Sequence, residues 1–495
     1  MTKRVVWGVL FGALAILVTG CSDECVDRFD CRDKGTPPEG QEFICNADNK
    51  CELVTINLSP EVDAGTEEDA GTEVDAGTEV DAGTEDAGTE EDAGTEVDAG
   101  VDAGTVDAGM TVGKGGACTA SADCMAGLRC EAATCQSLLI AVTGVDGGTR
   151  ALVTAFDVPG PMSLSAEGVA SAYPRFGPGG AQVAFVQGNV TAPTGELAVA
   201  ALPLAAVAPT VLTTGTAAGN ARIRYMEWDP GNLIAWVRGA SGISTIAPTG
   251  GAPTQITVNG TFPDFGPNGT DLAYNVSGTG ILVSLNGGAP TPLAGTPTSA
   301  EQPHFNRVTS QLLFLANPDN RTVLFGTEST PVLRLYSLPV TGGGTPTLLA
   351  DSTSEAVAGG TIDSYIANPN WAPDGSWVAY VRAYYQLVGT AAVLCGNAAA
   401  TLCANRPGNV IFLQHVNTAT GAPEGDPVSL KENATLPSFS PDGQLVAFIL
   451  SGQLNVQPID TTTGQPNGAL ITHPKDTYTV LTNEGDDHRP RWQPR

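Results

Sequence analysis

Six segments of this chain share one frame, and that frame limits the fold more than any other feature. They are YPRFGPGGAQVAFVQG from Tyr173, YMEWDPGNLIAWVRG from Tyr225, FPDFGPNGTDLAYNVSG from Phe262, QPHFNRVTSQLLFLAN from Gln302, NPNWAPDGSWVAYVRA from Asn368 and LPSFSPDGQLVAFILSG from Leu436. The common pattern is Pro-x-aromatic-x-Pro-Asp/Gly/Asn-Gly-x-x-apolar-Ala-aromatic. The aromatic closes a short strand into a core. Pro-Asp-Gly is a turn, because Pro fixes φ and Gly supplies a positive φ. Val-Ala-Phe reads as the next strand, with an alanine where neighbouring units pack face to face. The copy at Tyr225 lacks the leading Pro, and the copy at Gln302 has Asn-Arg-Val-Thr in place of the turn.

A second signal follows several copies: GGAPTQIT at Gly250, GGAPTPLA at Gly287 and GGGTPTLLA at Gly342. It reads as a turn and an outer strand, so each unit holds about four strands. No long helical period occurs, which makes the region all-β. This pattern resembles the WD40-like repeats of the TolB-type β-propeller, over roughly residues 137–495. The anchor aromatics are Phe176, Trp228, Phe265, Phe305, Trp371, Phe439 and Trp492, spaced 52, 37, 40, 66, 68 and 53 residues apart. A blade of this kind needs about 40 residues, so the longer spacings are expected to hold loop insertions. Trp492 sits in RPRWQP, the opening strand of a seventh unit with nothing after it. Its missing strands are expected ahead of Phe176, in SLLIAVTG, RALVTAFDV and MSLSAEG. Seven blades are therefore expected, closed by the last strand; six is the alternative.

The start of the chain gives a location. Lys3 and Arg4 precede an apolar or small run, Val5–Thr19, too short to span a bilayer. Val18-Thr19-Gly20-Cys21 resembles a bacterial lipobox, so residues 1–20 are expected to be a signal peptide and Cys21 the lipidated residue. Ser22 after it favours the outer membrane, on its periplasmic face or the cell surface. The membrane would be reached only through the lipid.

Ten cysteines remain beside Cys21. Export makes disulfides the default. Cys25, Cys31, Cys45 and Cys51 fall in a module over 21–58. Cys118, Cys124, Cys130 and Cys135 fall in a second over 116–136, which resembles four-cysteine modules of the Dickkopf N-terminal type. Neither block has zinc-like spacing, and no metal site is expected. Pairing within each block is open. Cys395 and Cys403 are expected to clamp a long insertion.

Between the modules, residues 59–115 repeat Asp-Ala-Gly nine times, and residues 61–110 hold 18 carboxylates with no Lys or Arg. Such a stretch buries too little apolar surface to fold and repels itself, so a disordered stalk is expected. Fully extended it reaches about 150 Å. Calcium binding is the alternative for this stretch. The carboxylates rarely take the alternating spacing of a calcium loop.

Catalytic signals are sparse. The four histidines, His304, His415, His473 and His488, form no H-x-x-x-H or H-E-x-x-H. There is no G-x-S-x-G elbow. Asp487-His488 reads as a strand lead rather than two-thirds of a triad. Asp374 and Asp442 read as turn formers. No enzyme and no cofactor is expected. The net charge of −30 repels nucleic acid. The expected function is protein binding or scaffolding by an envelope lipoprotein, with an envelope protein as partner. The TolB resemblance implies such contacts, for example with a peptidoglycan-associated lipoprotein. Glycan or peptidoglycan recognition is the alternative, for which Tyr384-Tyr385 is the one obvious aromatic pair. An active site in the propeller channel is the third possibility.

Overall fold

A computed structural model describes residues 41–45, 51–55 and, apart from short loop segments, 111–495. The chain divides into two compact units, Met1–Val101 and Asp102–Arg495. In the first, the strands Gln41–Cys45 and Cys51–Thr55 form an antiparallel hairpin in which Cys45 and Cys51 are Cα partners. Cys21, Cys25, Cys31, the side chains of Cys45 and Cys51, the signal peptide expected over residues 1–20 and the acidic repeat up to residue 110 lie outside the described residues. No helix among the described residues is long and apolar enough to cross a membrane.

The second unit is an all-β propeller. Six sheets each run from first to fourth strand in chain order with antiparallel neighbours, two of them with inserted strands between the second and third. The first strands are Ser171–Phe176, Ile223–Trp228, Gly260–Phe265, Glu301–Phe305, Gly360–Trp371 and Ala434–Phe439. Six blades are thus formed by continuous chain, the alternative count and not the seven expected. The seventh anchor does not head a stretch of its own. Arg491–Trp492 pairs instead with Leu139–Val145, which pairs with Thr149–Ala155, which pairs with Met162–Ser163. Thr479–Val480 also pairs with Leu139–Val145, so this composite sheet has five strands.

The first strand of every continuous blade bulges at the same place. Tyr173, Tyr225, Phe262, Gln302, Asn368 and Leu436 all have φ between 48° and 57°. Pairing with the second strand shifts register there in each blade. Left-handed backbone costs an L-residue about 1–2 kcal/mol. Six repetitions mark it as part of the repeat, a bulge that re-aims the residues after it.

The alanine of Val-Ala-Phe has the role expected of it. Ala184, Ala235, Ala273, Ala379 and Ala447 are all fully buried. Each packs in a cluster with the next blade's anchor: Ala184 with Trp228, Ala235 with Phe265, Ala273 with Phe305, Ala379 with Phe439 and Ala447 with Trp492. The irregular copy has Leu313 there, packed with Trp371.

The long insertions are not loops. The strands Gly360–Trp371 and Trp377–Val388 run 12 residues each. Their far ends carry Ser354–Val357 on one side and Ala391–Leu394 on the other. Thr322–Phe325, from the preceding blade's insertion, adds a parallel pairing to Ala391–Leu394. Two insertions that the sequence separates therefore make one sheet extension, with Phe325, Tyr365 and Tyr385 packed together at its centre.

Candidate functional site

The residue between Pro and the anchor aromatic varies from copy to copy, and the bulge brings these variable positions together. They are Arg175, Glu227, Asp264, His304, Asn370 and Ser438, with Arg491 as their counterpart in the composite sheet. Arg175, Glu227, Asn370, Ser438 and Arg491 line one cavity of about 380 Å³, together with Arg307. Its wall also holds Phe176, Trp228, Trp371, Phe439 and Trp492, with Pro373, Pro441 and Pro494. Glu227 also lines a narrower space of about 20 Å³ with His304, Asn368, Arg489, Tyr225 and Phe262. The first strands therefore enclose a passage with a wide mouth and a constricted interior.

Charge at the mouth is arranged around two carboxylates. Arg491 Nη2 lies 2.7 Å from Glu227 Oε1, and Arg175 Nε lies 3.6 Å from the same oxygen. Arg307 Nη2 lies 3.4 Å from Asp264 Oδ1, while its Nη1 donates to the Phe265 carbonyl. The Phe305 amide donates to Asp264 Oδ2 at 2.6 Å. Burial pushes the Asp264 carboxyl up to about 6, against the opposing pull of Arg307, with Glu227 adding to the rise. Deeper in, Arg489 donates to the Pro369 carbonyl at 2.9 Å. Three arginines and one glutamate thus face the mouth of a chain whose net charge is −30.

All seven anchor aromatics are buried. Two tryptophans also tie blades together. Trp371 Nε1 donates to the His304 carbonyl at 3.1 Å, and Trp492 Nε1 to the Ser438 carbonyl at 3.0 Å. Both rings also line the mouth.

The histidines do not converge. His304 lines the inner constriction. His488 stacks on Tyr173 at 4.9 Å; Asp487 lies outside the described residues. His473 is buried with Nε2 2.9 Å from the Phe156 carbonyl, and burial lowers its pKa. His415 sits on a blade surface, 2.9 Å from Glu424. Of the Tyr384-Tyr385 pair, Tyr385 is fully buried, which pushes its hydroxyl up to about 12, and Tyr384 lies under the Arg406 guanidinium at 5.4 Å. The pair offers no open stacking face.

Three disulfides are formed among the described residues: Cys118–Cys130, Cys124–Cys135 and Cys395–Cys403. The first two settle the pairing of the second module as first with third and second with fourth. Asp374 is a turn former, bonding Ser376 through its amide and its hydroxyl. Asp442 is more than that. It caps its own turn and also accepts the Gly127 amide at 3.0 Å from the four-cysteine module. Arg307, Arg489 and the role of the variable position were not anticipated. The available signal was that this position is polar in all seven copies of the frame.

No family model matches this sequence, and no curated protein matches it. Similar chain traces occur among solved structures. TolB from Acinetobacter baumannii is 17% identical, with a TM-score of 0.37, over 64% of this chain and 68% of that one. The periplasmic gluconolactonase PpgL of Pseudomonas aeruginosa is 13% identical, with a TM-score of 0.45, over 72% of this chain and 99% of its own. An oligogalacturonate lyase from Vibrio parahaemolyticus is 11% identical, with a TM-score of 0.43, over 71% and 89%.

Proposed function

We propose that this is a binding propeller whose arginine-bearing mouth receives an anionic segment of a protein partner. The observation that carries the reading is the cavity of about 380 Å³ at the mouth, with Arg175, Arg307 and Arg491 against one glutamate. Arginine and large aromatics, held in a partly desolvated cleft, are the residue types that dominate binding energy at protein interfaces. Glu227 is already engaged by two arginines, whereas the Arg307 side chain is 39% exposed and reaches the mouth. An incoming carboxylate therefore meets net positive charge, which favours both capture and orientation. Binding is preferred to turnover because Glu227 is held by two arginines, and Asp264 by an arginine and a backbone amide.

On this reading the composite sheet serves as the seventh blade and closes the ring. Arg491 and Ala141 are Cα partners there, as Asp264 and Ala273 are in the third blade. The display of the propeller, by a lipid on Cys21 and an acidic stalk on the cell envelope, rests on the sequence alone. Loss of labelled palmitate incorporation in Cys21→Ser would support it.

The test of the binding reading is crosslinking in cells followed by mass spectrometry, comparing the wild type with Arg307→Ala. The expected result is one protein recovered through the mouth, with at least a tenfold loss in the variant at an unchanged melting temperature. Equal recovery from both would overturn the reading.

A further inference from the structure

The turns at the mouth form a chain of contacts. In each continuous blade a short turn joins the first strand to the second. Three pairs of neighbouring turns touch. A Cβ on Gly269 would lie 2.5 Å from the Gly231 nitrogen, and Asn306 Nδ2 donates to the Gly375 carbonyl at 3.3 Å. A Cβ on Gly443 would lie 3.7 Å from the Pro373 ring. The composite sheet has no such turn. Its first strand, Arg491–Trp492, and its second, Leu139–Val145, are brought together from distant parts of the chain. A gap in the chain of turns is therefore expected between Asp442 of the sixth blade and Gly180 of the first.

The second four-cysteine module fills that gap. Arg495 donates to three of its carbonyls, Ser121 at 2.6 Å, Leu128 at 2.9 Å and Cys124 at 3.0 Å. The same guanidinium lies 3.4 Å from Asp442 Oδ2, which also accepts the Gly127 amide; the Asp442 side chain is 2% exposed. On the other side, Arg129 donates to the Pro494 carbonyl at 2.9 Å, and Gln493 donates to the Gly180 carbonyl at 2.8 Å. Gly127 has a φ of +76°, and a Cβ there would lie 2.5 Å from the Phe156 ring. The fit thus depends on a glycine. Beneath these bonds, Cys124, Leu128 and Cys135 share one apolar cluster with Phe156, Leu445 and Trp492.

We propose that this module is the clasp of the propeller. It stands in for the turn that the composite sheet lacks, and closure of the seam depends on its folded shape. The three carbonyls that Arg495 reads lie within Ser121–Leu128, a stretch with one short 3-10 turn. The bridges of Cys118, Cys124, Cys130 and Cys135 hold that path together with the Cys130 amide bond to Ser121 Oγ and the Asp123 cap on Thr119 and Ala120, and they matter most because so small a module has too little apolar surface of its own. Arg495 is a suitable reader, since its planar fork presents several donors in a fixed geometry and stays charged. Pro494 and Pro441 flank the clasp and line the mouth, so the clasp also fixes part of the mouth rim. The inference is independent of what the mouth binds.

Hydrogen exchange on the full chain tests it. Wild type, Arg495→Ala and Cys118→Ala/Cys130→Ala are compared at two places: the seam strands Leu139–Val145 and Arg491–Trp492, and the third blade over 260–284 as control. The clasp predicts at least tenfold faster exchange at the seam in both variants, with the control unchanged. Arg495→Lys should fall between wild type and Arg495→Ala, because an ammonium gathers its donors on one nitrogen, whereas Leu128 is reached from Nε and Ser121 and Cys124 from Nη2. Unchanged seam exchange in Arg495→Ala would overturn the proposal. So would equal acceleration in the control, which would mean general destabilisation. If the cysteine variant does not fold, the two Arg495 variants decide.

Discussion

The third blade and the composite sheet have the same packing and opposite connectivity. In the third blade, four strands follow one another from Gly260 to Pro292, and each pairing closes a short local turn. In the composite sheet the first and second strands come from distant parts of the chain. Yet the side-chain pattern is the same. Asp264 faces Ala273 and Arg491 faces Ala141, and each anchor ring packs onto the preceding sheet. The same set of side chains at fixed places is therefore reached by two different routes of the backbone. What differs is the cost of assembly. Each doubling of a closed loop costs about 0.6 kcal/mol, so the distant pairing begins a few kcal/mol behind the local one. The clasp, Arg495 and Asp442 are concentrated where that deficit falls.

The largest expected effect comes from the anchors. Trp492→Ala and Phe265→Ala each remove a buried ring and should each cost about 3–5 kcal/mol. The difference lies in how the protein then unfolds. Phe265→Ala should leave one cooperative transition in urea. Trp492→Ala should give a shallower transition, because the seam opens before the rest. Two transitions of equal steepness would erase the distinction between the two sheets. Next comes a pair of identical substitutions at equivalent turns. Asp442→Asn faces an amide group toward the Gly127 amide and weakens the pairing with Arg495, and should cost about 2 kcal/mol. Asp374→Asn changes an exposed turn carboxylate and should cost less than about 0.5 kcal/mol. Thermal melts of the two variants check this directly.

These two aspartates also show where reading the sequence ends. The Pro-Asp-Gly turn is local chemistry and was legible at both positions. The second task of Asp442 was not, because its partner Gly127 is 315 residues away. The same limit applies at the mouth. Strands, turns, anchors and the small alanine follow from the repeat frame. The variable residue before each anchor reads as filler until the bulge shows that five of the seven, Arg175, Glu227, Asn370, Ser438 and Arg491, line one cavity. Arg307 is the sharper case. Asn-Arg-Val-Thr looks like decay of the turn, but it sets a guanidinium beside Asp264 of the preceding blade. The count of blades depended on closure, which no single copy of the repeat encodes. The expected loops likewise became a sheet extension, because two insertions pair with each other.

Asp264 provides a smaller, pH-dependent contrast within the continuous blades. Its carboxyl is raised in the fold to about 6 from an ordinary 3.8. Between those values the folded state holds more protons than the unfolded state. Stability contributed by this residue is therefore greatest near pH 4 and falls as pH rises through 6. His473 acts in the opposite sense, since a buried neutral histidine loses stability as the solution becomes acidic. The two are separated by subtraction. The difference in unfolding free energy between wild type and Asp264→Asn should fall from pH 4 to pH 6 and then level off. A flat difference would mean that Asp264 is not held at the blade junction as described.

The smallest global effect should come from the disulfide furthest from the seam in function. Cys395 and Cys403 form their own small cluster with Ile362 and Ala400, separate from the clusters that join one blade to the next. Removing that bridge by Cys395→Ala/Cys403→Ala frees a short loop, so the unfolded chain gains freedom only over a few residues. Local opening of 391–403 should become easier, as in any region that unfolds independently of the core. The global unfolding free energy should change by less than about 1 kcal/mol. Removing Cys118–Cys130, although it too closes a short loop, should cost more and should be felt at Leu139–Val145. Comparing the two variants by urea unfolding and by exchange at both places isolates position from bond type. Equal effects would reduce both bridges to ordinary loop staples. An effect confined to the seam for Cys118–Cys130 would mean that a disulfide's contribution here is set by what its loop holds in place.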